Sequence, residues 1–205
     1  MVECDIRLSK DGVLTLAHDE YVTDIFGTRF LLSEHTAEEL GELDLGAGEG
    51  APTLTQLVED AHNVGFGIMA DMKTEGNGVE AMVCDALAAL PVEKKVVPGA
   101  LAQSRTRFRA YNSNLPLSLT LSAEQESLLG GEVFEKLVDS LDTEAVTWEY
   151  PLLTLDRIQT LQERGIQVYA WTVDSPPEME RLIAAGVDGI ISNRCDLLLS
   201  LLQRA

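Results

Sequence analysis

Val2-Glu3-Cys4-Asp5-Ile6-Arg7-Leu8 opens the chain as a strand with two acids on one face and apolar side chains on the other. Successive side chains of a strand point to opposite faces, so Glu3 and Asp5 go together, and Val2, Cys4 and Ile6 go together. The Lys10-Asp11-Gly12 turn predicts a return strand over Val13 to Leu16, which would bring His18 back beside the acids. A second apolar run ending in charge follows at Ile68-Met69-Ala70-Asp71-Met72-Lys73, where Asp71 and Lys73 share a face and Ala70 and Met72 take the other.

Outward from these runs, strands are predicted over Val2 to Leu8, Gly67 to Met72, Val96 to Leu101, Leu117 to Leu121, Ala145 to Trp148, Val168 to Val173 and Gly189 to Ile191. Amphipathic stretches lie between them: Leu54 to Asn63, Val79 to Leu90, Arg105 to Asn112, Glu132 to Leu141, Leu155 to Arg164, Pro177 to Ala185 and Asp196 to Gln203. Strands separated by helices argue for an α/β fold with a parallel sheet built from βα units. About seven such units, with continuous apolar strands, favour a closed (β/α)8 TIM barrel over an open sheet, one strand short of eight. Closure removes sheet edges, so the preferred expectation is that the first βα unit lies upstream of Met1; a true seven-unit variant, or a partner that fills the gap, is the alternative.

At 205 residues the length favours a single domain over 1–205, able to bury roughly 70% of its unfolded surface without disulfides. Residues 19–52 are too long for an ordinary connection and carry a helix signal at Thr36-Ala37-Glu38-Glu39-Leu40; directly after His18, at a strand end where barrel active-site loops belong, they read as a lid-like insertion.

No apolar stretch approaches the roughly 20 residues of a membrane span, and no signal-peptide pattern is present. Cys4, Cys84 and Cys195 are odd in number, widely spaced and in apolar sequence surroundings, which fits neither a disulfide framework nor a zinc cluster and points to a reducing, cytoplasmic compartment. With 34 acidic against 15 basic residues the formal net charge is -19, a surface that repels nucleic acid and anionic membranes. An anionic substrate would therefore need a local positive centre, from a metal ion or placed Lys and Arg side chains. The sequence does not decide the oligomeric state.

Charged groups ending an apolar strand are costly unless a metal, a substrate or each other offsets their desolvation. Asp71 and Lys73 alone could be an ordinary ion pair, but with Glu3 and Asp5 they supply three carboxylates from two strand ends. Without a cysteine or histidine cluster, that donor set specifies a hard cation such as Mg2+ or Ca2+, and does not choose between the two. A lone histidine at a strand end is commonly structural, yet Asp19 and the nearby acids favour acid–base work for His18. His35 and His62, in polar helix-like settings, read as surface residues.

The chain resembles the glycerophosphodiester phosphodiesterase family. The resemblance is carried by Glu3-Cys4-Asp5 with Leu8-Ser9-Lys10-Asp11-Gly12, Ala17-His18-Asp19-Glu20, Ala51-Pro52-Thr53-Leu54, Ala70-Asp71-Met72-Lys73, Val168-Tyr169-Ala170-Trp171-Thr172-Val173-Asp174 and Gly186-Val187-Asp188-Gly189-Ile190-Ile191-Ser192-Asn193, in family order along nearly the whole chain. The resemblance implies a (β/α)8 barrel that uses a divalent cation to hydrolyse glycerophosphodiesters to an alcohol and glycerol 3-phosphate, in lipid and glycerol metabolism. Glu3 and Asp5 match the family's acid-x-acid metal ligands; Asp71 matches a third, where the family usually has Glu. Lys73 matches the lysine that faces the phosphate, His18 one of two catalytic histidines, and Trp171 an aromatic near the glycerol. In the mechanism so implied, the glycerol 2-hydroxyl attacks phosphorus, one histidine takes its proton and the other protonates the leaving alcohol; His18 fits either role, with the general acid preferred.

Three departures accompany the match. No part of the chain matches the family's His-Arg-Gly motif or the Glu-Asn motif after it, Asp24 stands where many members have arginine, and Val96 to Leu101 replaces a strand that usually contains serine and phenylalanine. Loss of one of two acid–base histidines costs on the order of 10² to 10⁴ in rate. Two readings therefore stay open: an enzyme whose activity in the chain as written is in question, and a catalytically silent barrel that binds a phosphodiester or a protein partner.

Overall fold

The computed structural model describes residues 1–99, 102–129, 138 and 143–203. They divide into two compact units, Met1–Pro116 and Leu117–Ala205.

In the first unit, β1 (Val2–Leu8) is flanked by β2 (Leu14–Leu16), antiparallel, and by β5 (Ile68–Met72), parallel, with β6 (Lys95–Val96) parallel beyond β5. Ile6, Ile68, Ala70 and Met72 are buried, which ties the strand register to burial of these apolar side chains. Helix α2 (Leu54–Val64) buries Leu54, Val58 and Ala61 and packs on β2 and on α3 (Val79–Ala86), which in turn packs on α4 (Ala102–Tyr111). Helix α2 starts where the Thr53 hydroxyl accepts from Gln56 N and the Gln56 side chain accepts from Thr53 N, a reciprocal capping box.

Within the same unit the 19–52 segment forms a hairpin, β3 (Tyr21–Thr23) against β4 (Arg29–Leu31), followed by a 3-10 turn at Leu32–Glu34 and the short helix α1 (Ala37–Gly41). It has a small core of its own, with Leu32, Leu40 and Ala51 buried under Val22, Phe30 and Leu43. The Thr36 to Leu40 helix signal is realised through a second capping box, between Thr36 and Glu39.

The second unit carries the parallel sheet β7 (Ser118–Leu121), β8 (Ala145–Glu149), β9 (Gln167–Trp171) and β10 (Gly189–Ile190), paired in that order. One face supplies Leu119, Leu121, Val146, Trp148, Val168 and Ala170 to a core completed by Ile158 and Leu161 of α6 (Leu155–Glu163) and Met179 and Leu182 of α7 (Pro176–Ala185). Helix α8 (Cys195–Leu202) packs on α7.

All seven predicted strands occur. The run read as Val96 to Leu101 is strand only over Lys95–Val96, because Pro98 has no N–H to give a ladder and Gly99 turns to φ +77°. Residues 100 and 101 lie outside the described residues. The helix expected over Glu132 to Leu141 also lies outside them except for Val138, which is helical. An unanticipated helix, α5 (Ala123–Leu129), follows β7; its signal was Ser122 with Gln125, which exchange backbone and side-chain hydrogen bonds at its start. Cys4 is half-buried and Cys84 buried, but Cys195 is exposed, because it opens α8 on the solvent side. All three are free thiols, and among the described residues no helix is long and apolar enough to cross a membrane.

Replacing Thr53 by Ala removes the cap of α2 and is expected to cost about 1 kcal/mol in urea unfolding. An unchanged midpoint would show that the box adds nothing to stability.

Candidate active site

Strands β1 and β5 run parallel with Asp5 opposite Asp71 as direct Cα partners, Glu3 opposite Met69 and Cys4 opposite Ala70. The acids thus point to one face of the pair while Ile6, Ala70 and Met72 are buried. Ligand oxygens of Glu3, Asp5 and Asp71 all lie within 4.8 Å of one another. Beyond the end of β5, Lys73 N donates to Ile6 O (3.1 Å), which keeps the chain in line with β1. The Lys73 ammonium lies between the acids, 3.0 Å from Asp5 Oδ1 and 3.0 Å from Asp71 Oδ2.

One ammonium does not balance three carboxylates. Burial first, and then the neighbouring charges of Asp5 and Asp71, push the Glu3 carboxyl up to about 7. Burial likewise raises Asp71 against the pull of Lys73. Burial would lower the Lys73 ammonium, but its bonds to Asp71 and Asp5 outweigh that and hold it above its ordinary value. Between Glu3 and Asp5, the Cys4 thiol is pushed up to about 12 by burial and by the three acids, so it stays protonated. A compact all-oxygen cluster short of positive charge suits a hard divalent cation.

Strand β2 returns as expected, with Ala17 N donating to Asp5 O (3.1 Å) and Arg7 Nε donating to His18 O (2.9 Å). The His18 imidazole, 74% exposed, is held at Nδ1 by Asp19 Oδ1 (2.9 Å). It is near enough for its charge to lower Glu3 and Asp71, so the turn delivers it to the rim of the cluster. Asp24, at the position where many family members carry arginine, uses Oδ1 to accept from Phe26 N (2.9 Å) and Thr28 N (2.8 Å) and so closes the hairpin tip. His62 is exposed; His35 is half-buried, with Nδ1 2.9 Å from Leu31 O and its ring edge-on to Phe30.

Trp171 belongs to the second unit. It is half-buried at the end of β9, its Nε1 donates to Thr147 O (3.0 Å), and its Cα partner across the sheet is Glu149. The core position for a tryptophan is taken instead by Trp148, which is fully buried one residue out of phase on β8.

Glu80, on the first turn of α3, escaped the sequence reading. Only 1% exposed, its Oε1 accepts from Gly76 N (3.1 Å), Ser104 Oγ (2.8 Å) and Arg107 Nη1 (2.8 Å). Burial works against its charge, but these donors together hold its carboxyl down to about 2. It pins the loop that begins at Lys73 and turns through Gly76, Asn77 and Gly78, all at positive φ. The Gly76-Asn77-Gly78 turn was the available signal that this loop needs an anchor.

The sequence matches the glycerophosphoryl diester phosphodiesterase family across residues 1–197. This chain belongs to that family. A glycerophosphodiester phosphodiesterase of Caldanaerobacter subterraneus subsp. tengcongensis is 26% identical over 215 residues, covering 99% of this chain and 86% of the relative. Among solved structures, the Oleispira antarctica phosphodiesterase in complex with the product sn-glycerol-3-phosphate superposes with a TM-score of 0.82 at 20% identity, over 98% of this chain and 84% of that one. The glycerophosphodiester phosphodiesterase of Thermotoga maritima superposes with a TM-score of 0.78 at 20% identity, over 99% of this chain and 84% of that one. The α/β barrel class with parallel strands, expected from the sequence, is the fold this family member shares with them.

The raised Glu3 carboxyl makes stability depend on pH. It binds its proton more tightly in the folded chain (about 7) than at its ordinary value of 4.5, so stability falls as pH rises through that window and the whole penalty is present above it. In chelator, Glu3→Gln is expected to match the parent near pH 4, roughly where both states are protonated, and to be the more stable above about pH 7. Parallel pH profiles in chemical denaturation would show that the cluster does not perturb Glu3.

Proposed function

We propose that this chain is a phosphoric diester hydrolase that cleaves glycerophosphodiesters to an alcohol and glycerol 3-phosphate. The observation that carries the reading is the convergence of Glu3, Asp5 and Asp71 from β1 and β5 of a family member, with Lys73 bridging Asp5 and Asp71. The named activity of the relatives and the glycerol 3-phosphate held by the Oleispira enzyme support it. A small-molecule substrate and a cytoplasmic setting in glycerol and lipid metabolism go with it.

Glu3, Asp5 and Asp71 would hold the divalent cation, Mg2+ or Ca2+, which when bound supplies Lewis acidity that offsets charge on the phosphoryl oxygens. Lys73 faces the phosphate and stabilises the negative charge that grows on it in the transition state. Asp19 holds Nδ1 of His18, which leaves Nε2 to give a proton to the leaving alcohol. Residues 19–52, beginning next to His18, form the lid in this reading.

A second reading, a silent barrel that binds phosphodiester without turnover, is favoured by one observation: Lys73 bridges Asp5 and Asp71, at 3.0 Å each. Release of glycerol 3-phosphate from glycerophosphocholine with Mg2+ or Ca2+ separates the two. The expected outcome is release that falls by about 10²–10⁴ in His18→Ala and by about 10²–10³ in Lys73→Ala. No release from folded protein that still binds the diester would replace the enzyme with the silent barrel.

A further inference from the structure

The two oxygens of Asp71 have different neighbours. Oδ2 takes the Lys73 ammonium, whereas Oδ1 lies against the backbone of Gly99. A Cβ built on Gly99 would fall inside the van der Waals surface of Asp71 Oδ1, with Asp71 Cγ at 3.6 Å and Met72 O at 3.8 Å behind it. Gly99 also holds φ at +77°, which an L side chain rarely adopts. Gly12 has the same φ of +77° but open space where its Cβ would be, so the turn geometry alone does not bring glycine against a carboxylate.

We propose that Gly99 is a positioning residue: its bare Cα sets the place of Asp71 Oδ1 and thereby the convergence of Glu3, Asp5 and Asp71 on a divalent cation. The proposal rests on reading the acid cluster as a cation site. Any side chain at residue 99 displaces Oδ1, and because interiors are close-packed the shift passes to the carboxylate plane and to the Lys73 contact. Metal-ligand carboxylates depend on such supporting neighbours for their orientation.

Gly99→Ala and Gly12→Ala each place a side chain at a φ of +77°, and only the first meets Asp71. Calorimetric titration with Mg2+ and with Ca2+ is expected to show binding weakened by about 10–100-fold in Gly99→Ala and unchanged in Gly12→Ala. In chelator, Gly99→Ala should lower the unfolding temperature more than Gly12→Ala does, and Asp71→Ala in the same chain should recover the excess; if Gly99→Ala alone fails to fold, recovery of folding by Asp71→Ala is the same result. Cation affinity of Gly99→Ala equal to the parent, or a thermal loss that Asp71→Ala leaves in place, overturns the proposal. Should the parent chain bind neither ion, the cation reading of the cluster fails by itself. The unfolding comparison then decides on Gly99: recovery by Asp71→Ala upholds its hold on that carboxylate, and no recovery removes it.

Discussion

The pairing of β1 with β5 at Asp5 opposite Asp71 is the constraint on which the rest of the first unit depends. Both acids sit on strands whose opposite face buries Ile6, Ala70 and Met72. A slip of one residue would exchange the faces and put a carboxylate into the core, at a cost of several kcal/mol per unpaired charge. Burial of the apolar face therefore enforces the meeting of the acids on the other. Lys73 offsets part of the repulsion that results; burial first, and then the remaining repulsion from Asp5 and Asp71, holds the Glu3 carboxyl up at about 7.

The surrounding elements hold this pairing in place from several directions. Ala17 N, on the return from β2, bonds to Asp5 O and carries His18 to the rim of the cluster. Glu80 anchors the loop behind Lys73 through Gly76, Ser104 and Arg107 and so links α3, α4 and the end of β5. Gly99 closes the side of Asp71 away from Lys73. The 19–52 segment packs Val22, Phe30 and Leu43 on Leu32, Leu40 and Ala51, a small core of its own.

Much of this could be read from the chain because it depends on short-range periodicity. The alternation in Val2 to Leu8 and Ile68 to Lys73 placed Glu3, Asp5, Asp71 and Lys73 on common faces, and Thr36 marked the start of α1. Other features depend on contacts between distant segments. Glu80 looks like an ordinary acid in a helix's first turn until Ser104 and Arg107 close over it from α4. Gly99 looks like a turn residue until Asp71 is found against it. The return of β2 was expected to bring His18 beside the acids; the bond of its Nδ1 to the neighbouring Asp19 is a side-chain contact that strand periodicity does not show. Cys195 looks apolar beside Leu197 and Leu198, but helix phase turns it to solvent.

The central claim, that the β1–β5 pairing builds a divalent-cation site, is tested most directly by anomalous diffraction from crystals grown with Mn2+, a probe that favours the same oxygen ligands as Mg2+ and Ca2+. The account predicts one strong anomalous peak within bonding distance of Glu3, Asp5 and Asp71, with the Lys73 ammonium moved out from between the two aspartates. Crystals with no peak at the cluster, and Lys73 still bridging Asp5 and Asp71, would contradict it.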